Sequence, residues 1–118
     1  MTPEELLEHA MVFTFTPVEI DDQVLNRNDF RLNVERRGLG DSWAVVHFGE
    51  VWDGKQWVYE NIPSNRTDEF KALTRFPLAT AVDLAVQLVE TVTVNGATYA
   101  QWWDRFAAKK AAETEKDK

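Results

Sequence analysis

Asp53-Gly54 sits between two runs crowded with β-branched and aromatic residues, Trp43-Ala44-Val45-Val46-His47-Phe48 before it and Trp57-Val58-Tyr59 after it. A type I′ hairpin turn needs positive φ at both central residues, and Asp-Gly supplies them at little cost. The pair therefore predicts a hairpin with strands over Ser42–Trp52 and Lys55–Asn61. Just upstream, Phe30-Arg31-Leu32-Asn33-Val34-Glu35-Arg36-Arg37 alternates apolar and polar residues, the period of a half-buried strand. Gly38-Leu39-Gly40-Asp41 turns that strand into the hairpin. A three-stranded antiparallel meander follows. The β-branched and aromatic stretch from Val12 starts a fourth strand over residues 12–20, and Pro17 places it at a sheet edge.

Helices flank this middle. Thr2, Pro3 and Glu5 supply a cap, a first helical residue and a capping-box partner for a short N-terminal helix. Thr67 caps a second short helix to about Arg75. Pro77 opens the longest one, over 77–93, with Leu78, Ala81, Val82, Ala85, Leu88, Val89 and Val92 as one apolar stripe and Asn95-Gly96 as its end. Thr98 caps a final helix carrying Tyr99, Trp102, Trp103 and Phe106. Residues 109–118 are nearly all charged residues and alanine, with nothing to bury, so a frayed tail is expected. The chain reads as one α+β domain over 1–108. It is an antiparallel three- to four-stranded meander packed against a long C-terminal-half helix, with short N-terminal and final helices.

The turn also predicts a register. A two-residue loop at Asp53-Gly54 sets Trp52 against Lys55, Glu50 against Trp57, Phe48 against Tyr59 and His47 against Glu60. With Arg37 opposite Ser42, Val34 joins Val45 and Leu32 joins His47 on the face that belongs under the long helix. The other face then holds Val46, Phe48, Trp52, Trp57 and Tyr59 beside Arg31, Asn33 and Glu35. Antiparallel sheets usually keep such residues off their solvent side. Three readings stand: the final helix covers them, they form a protein-binding or homodimer surface, or they line a small-ligand pocket. As a contact surface, its anchors are Trp52, Trp57, Tyr59 and Phe48 with Arg31 at the rim, residue types that binding hot spots favour. A one-residue change in either turn exchanges the two faces.

Charge narrows the partner. Twenty Asp and Glu against thirteen Lys and Arg leave a net charge of −7, a field that repels phosphate backbones and argues against nucleic acid. The absence of cysteine removes disulfides, thiol catalysis and Cys-ligated metal. No apolar run reaches the ~18 residues of a membrane span, and the acidic N-terminus is unlike a signal peptide. A cytoplasmic protein without a membrane partner is expected.

Candidate chemistry is sparse. His47 opposite Glu60 is the one predicted histidine–carboxylate pair, and with no nucleophile or second acid beside it a cross-strand hydrogen bond is the better reading. Asp21, Asp22, Asn26, Asn28 and Asp29 do not match a calcium-loop spacing and suit turn chemistry instead. Neither glycine-rich phosphate motif is present, and Ser42 and Ser64, the only serines, lie in no nucleophile elbow. Arg36-Arg37, with Arg31 and Arg27, is the main basic concentration and reads as a solvated strand end. No catalytic, metal or cofactor site is predicted, and no cofactor is expected.

The hairpin WAVVHFGEVWDGKQWVYE, the segment SNRTDEFKALTRFPLATAVDLA and the closing VNGATYAQWW resemble small uncharacterised proteins of actinobacteria and their bacteriophages. The resemblance spans most of the chain and carries no catalytic or binding residue with it. It implies a context in which small acidic proteins bind a host or virion protein. The resulting expectation is a non-enzymatic interaction protein, accessory or modulatory, possibly homodimeric, with an unidentified protein partner. The alternative is a virion structural or assembly component that self-associates.

Overall fold

The structure is a computed structural model that describes residues 2–17 and 27–116. Helix α1 (Pro3–His9) begins as its capping box predicts, the Glu5 amide donating to Thr2 Oγ1 at 3.2 Å. Strands β1 (Val12–Phe15), β2 (Leu32–Arg36), β3 (Trp43–His47), β4 (Glu50–Trp52) and β5 (Trp57–Tyr59) form one antiparallel sheet in sequence order. Helices α2 (Asp68–Thr74) and α3 (Leu78–Leu88) follow, then a ribbon of β6 (Thr93–Val94) and β7 (Ala97–Thr98), then α4 (Tyr99–Lys116). The α+β class and the helix-backed antiparallel meander are those expected.

One face of the sheet carries the core. Leu32, Val34, Trp43 and Val45 lie against Ala81, Ala85, Val89 and Val92, all buried. The two alanines on α3 leave room for the helix to approach the sheet closely. Trp43 is the hub of this layer: its ring is 5.5 Å from that of Phe13, and Arg36 stacks over it at 4.5 Å. Its backbone exchanges two hydrogen bonds with Phe76, which ties the start of α3 to the sheet. Asp41 Oδ1 accepts from Trp43 Nε1 at 3.1 Å and from the Leu78 amide at 2.8 Å, so one carboxylate both orients the indole and satisfies an N-terminal donor of α3.

Several boundaries differ from expectation, and one of them alters the faces. Ser42–Trp52 is not one strand: it breaks at Phe48-Gly49, where His47 pairs with Glu50 across a two-residue turn. The connection at Asp53 is four residues long, and Trp52 pairs with Trp57 instead of Lys55. Asp53 Oδ1 accepts from the amides of Lys55 and Gln56, both at 2.8 Å, and this side-chain bonding closes the longer loop. Only the first change reverses parity; the second slides the β4–β5 pairing by two residues and keeps Trp52, Trp57 and Tyr59 on one face.

The remaining differences are local. Helix α3 stops at Leu88, and Asn95-Gly96, expected as its end, forms the tight turn of the β6–β7 ribbon with φ of 52° and 84°. Residues 18–20 of the predicted first strand, with Asp21, Asp22 and Asn26, lie outside the described residues. The predicted Thr98 cap forms, its Oγ1 accepting from the Gln101 amide at 3.3 Å. Helix α4 is fastened by Trp102 Nε1, which donates to the Val94 carbonyl at 2.7 Å, and by Tyr99, whose ring meets Phe30 edge-on at 5.3 Å. Its side chains from Ala107 to Glu113 are exposed. The described molecule measures 62 × 36 × 20 Å.

Candidate interaction surface

The turn that splits the predicted strand places its two residues at φ 46° (Phe48) and 78° (Gly49), the signature of type I′. Glycine is at ease there. Phenylalanine is not, since a Cβ in the left-handed region costs ~1–2 kcal/mol and such turns favour Asn, Asp or Gly. Nor does burial compensate, because Phe48 is 65% exposed, its ring 4.3 Å from that of His47. Beside it a shallow hollow of about 190 Å³ is lined by Arg31, Asn33, Glu35 and Val46. Two of the five predicted contact residues, Phe48 and the exposed Arg31, therefore meet at one place.

The other three lie elsewhere. Trp52 and Trp57 face the α3 side and pack half-buried against the core, their rings edge to face at 5.3 Å. The expectation of an exposed Trp52–Trp57 face is corrected by the Phe48-Gly49 turn. With 47 opposite 50, Trp52 falls in line with Val45 rather than Val46. They pack against the core cluster that β2 and β3 share with α3. Tyr59 shares their face but sits at the sheet edge and is 69% exposed.

The opposite face is crossed by a chain of polar contacts. Thr14 Oγ1 donates to Asn33 Oδ1 (2.9 Å), Asn33 Nδ2 to Glu35 Oε2 (3.3 Å) and Arg37 Nη1 to Glu35 Oε1 (3.2 Å). Arg37 then clasps Glu60 with two prongs, Nη2 to Oε1 at 2.8 Å and Nε to Oε2 at 3.2 Å. Arg75 Nη2 reaches Glu60 Oε2 at 3.1 Å, and Arg66 Nη2 lies 3.7 Å from Oε1. Glu60, its side chain 8% exposed, thus joins β2, β5 and the two ends of α2. The predicted His47–Glu60 pair does not form. His47 lies on the core-side face opposite Glu50, and its Nε2 is buried with no partner among the described residues.

Arg36-Arg37 is likewise not a solvated strand end. Adjacent strand residues point to opposite faces, and Arg36 spends its guanidinium on the carbonyls of Leu7, Ala10 and Gly40 at 2.9–3.0 Å while Arg37 holds Glu60. The sequence reading missed Arg66 and Arg75. Nothing in their spacing links residues 37, 60, 66 and 75. Only the sheet order and the return of α2 bring them together.

These groups make stability sensitive to acid. Burial alone would raise the Glu60 carboxyl, but the Arg37 hydrogen bonds and three guanidinium charges hold it below the usual carboxylate range. Its contribution is present above the unfolded value of ~4.3 and is lost as pH falls through the lowered folded value. Burial holds His47 below the ordinary imidazole value, outweighing its backbone hydrogen bond to Asp29 and the Glu50 charge. Unfolded His47 takes up a proton below pH ~6.5 while the folded residue resists, so stability also drops there. Urea unfolding at stepped pH should show the midpoint falling in two stages, and His47→Gln should remove the first while sparing the second. A midpoint flat from pH ~7 to ~5 in the wild type would contradict this assignment.

Among the described residues, no group of three or more His, Asp or Glu side chains is placed to hold a metal ion, and no helix is long and apolar enough to cross a membrane. Comparison with family models, curated proteins and solved structures finds no match.

Proposed function

We propose that this chain is a non-enzymatic interaction protein, an accessory or modulatory factor that binds another protein through the Phe48 turn with Arg31 beside it. The resemblance to small proteins of actinobacterial phages adds the context of a phage-encoded protein acting on a host protein. The observation that carries the reading is Phe48 itself. Folding alone favours Asn, Asp or Gly at this position, and solubility disfavours an exposed phenyl ring. A residue that serves neither the turn nor the core fits a contact made outside the molecule, and phenylalanine and arginine are both enriched at interface cores.

Phe48→Asn tests this by separating binding from folding. Asn tolerates the left-handed region, so the variant should be as stable as the wild type or more stable by about 0.5–1 kcal/mol. Affinity capture from an actinobacterial lysate, read by mass spectrometry, should enrich one protein with the wild type and lose it with Phe48→Asn. Equal capture by both proteins would refute the assignment. Capture only of the chain's own copies would point to a self-associating virion component instead.

A further inference from the structure

We propose that the outer edge of β5, with the cleft between it and α2, takes an extended, Lys- or Arg-flanked segment of another protein as a sixth strand of the sheet. The pairing of β4 with β5 determines which backbone groups are free. The Asp53 amide donates to the Gln56 carbonyl and the Glu60 amide to the Gly49 carbonyl, so residues 56, 58 and 60 turn toward β4. Trp57 and Tyr59 therefore aim their N–H and C=O groups outward, and no described residue meets them. Edge strands are commonly blunted by shortness, proline, charge or a bulge; β5 is three residues long but has no proline, charge or bulge within Trp57–Tyr59.

Beside this edge a cleft of about 280 Å³ is lined by Val58, Phe70 and Leu73, the last 52% exposed. A strand paired to Trp57 and Tyr59 places one residue opposite Val58 on the same face, and its side chain enters this cleft. Apolar walls select an apolar side chain there. The only charged groups lining the cleft are the carboxylates of Asp53 and Glu69, which select cations on either side of it. A second copy of this chain is the poorer occupant, because it brings a further net charge of −7 to an acidic rim. This surface is separate from the Phe48 turn, so the two proposals fail independently.

The probe is the blocked heptapeptide acetyl-KTVLVTK-amide, titrated into the full ¹⁵N-labelled chain, with acetyl-ETVLVTE-amide as its charge-reversed counterpart. The lysine peptide should shift the Trp57, Tyr59, Phe70 and Leu73 signals with a Kd below about 1 mM, and the glutamate peptide should bind at least about tenfold more weakly. Tyr59→Pro removes an outward N–H while leaving the β4–β5 ladder intact, and should abolish the shifts with an unchanged far-ultraviolet spectrum. Leu73→Glu, on α2, should do the same without touching the strand. Three results would each overturn the proposal: no shift at roughly 5 mM peptide, equal binding of the two peptides, or a dimer in sedimentation that Tyr59→Pro dissociates.

Discussion

Trp43→Ala should lower stability by about 4 kcal/mol, the upper part of the range for truncating a buried aromatic. Trp43 is 1% exposed, and three elements lean on it: Phe13 from β1, Arg36 from β2 and the first turn of α3 through Asp41. Truncation leaves a cavity that α3 cannot fill without losing the Phe76 pairing. At this chain length the unfolding temperature should fall by roughly 15 °C. Trp43→Phe keeps one aromatic ring but loses the donor to Asp41 and part of the buried indole, so it should cost about 1.5 kcal/mol. Chemical denaturation of both variants checks the pair. A loss below about 2 kcal/mol for alanine would mean that α3 is not anchored through this residue.

Glu60→Ala should cost about 3 kcal/mol, because it strands Arg37, Arg66 and Arg75 without the carboxylate that joins them. Their side chains are 20%, 16% and 12% exposed, so water relieves the uncompensated charge only in part. The loss should shrink as pH falls, since acid removes the same charge from the wild type. A double-mutant cycle with Arg75→Met should return a coupling of about 1 kcal/mol or more. Coupling near zero would mean that Arg75 is held by Thr74 Oγ1 and the Phe70 ring alone.

Much of the fold is local and therefore legible. Thr2, Thr67 and Thr98 cap helices because a short hydroxyl side chain reaches an amide within three residues. The alternation of residues 30–37 places Leu32 and Val34 in the core, and the loop at Gly38–Asp41 sets Arg37 opposite Ser42 as its length requires. The candidate surface was legible only in part. Phe48 and Arg31 stand out as an exposed aromatic and a rim arginine, yet the reason Phe48 is exposed is a turn that its own sequence disfavours. Uninterrupted alternation from Ser42 to Trp52 puts Trp52 and Trp57 on the wrong face for the same reason.

The amino-acid sequence by itself determined where helices begin, which segments extend, and the stripe that α3 buries, since each follows from sterics and hydrogen bonds within a few residues. Tertiary structure alone decided which side of the sheet each hairpin residue occupies. A turn at Phe48-Gly49 is locally costly. It moves Trp52 and Trp57 to the core face, and half-burying two indoles there outweighs ~1–2 kcal/mol of backbone strain. The same holds for Glu60, whose three arginines come from distant points of the chain and converge only after the sheet order and α2 are in place.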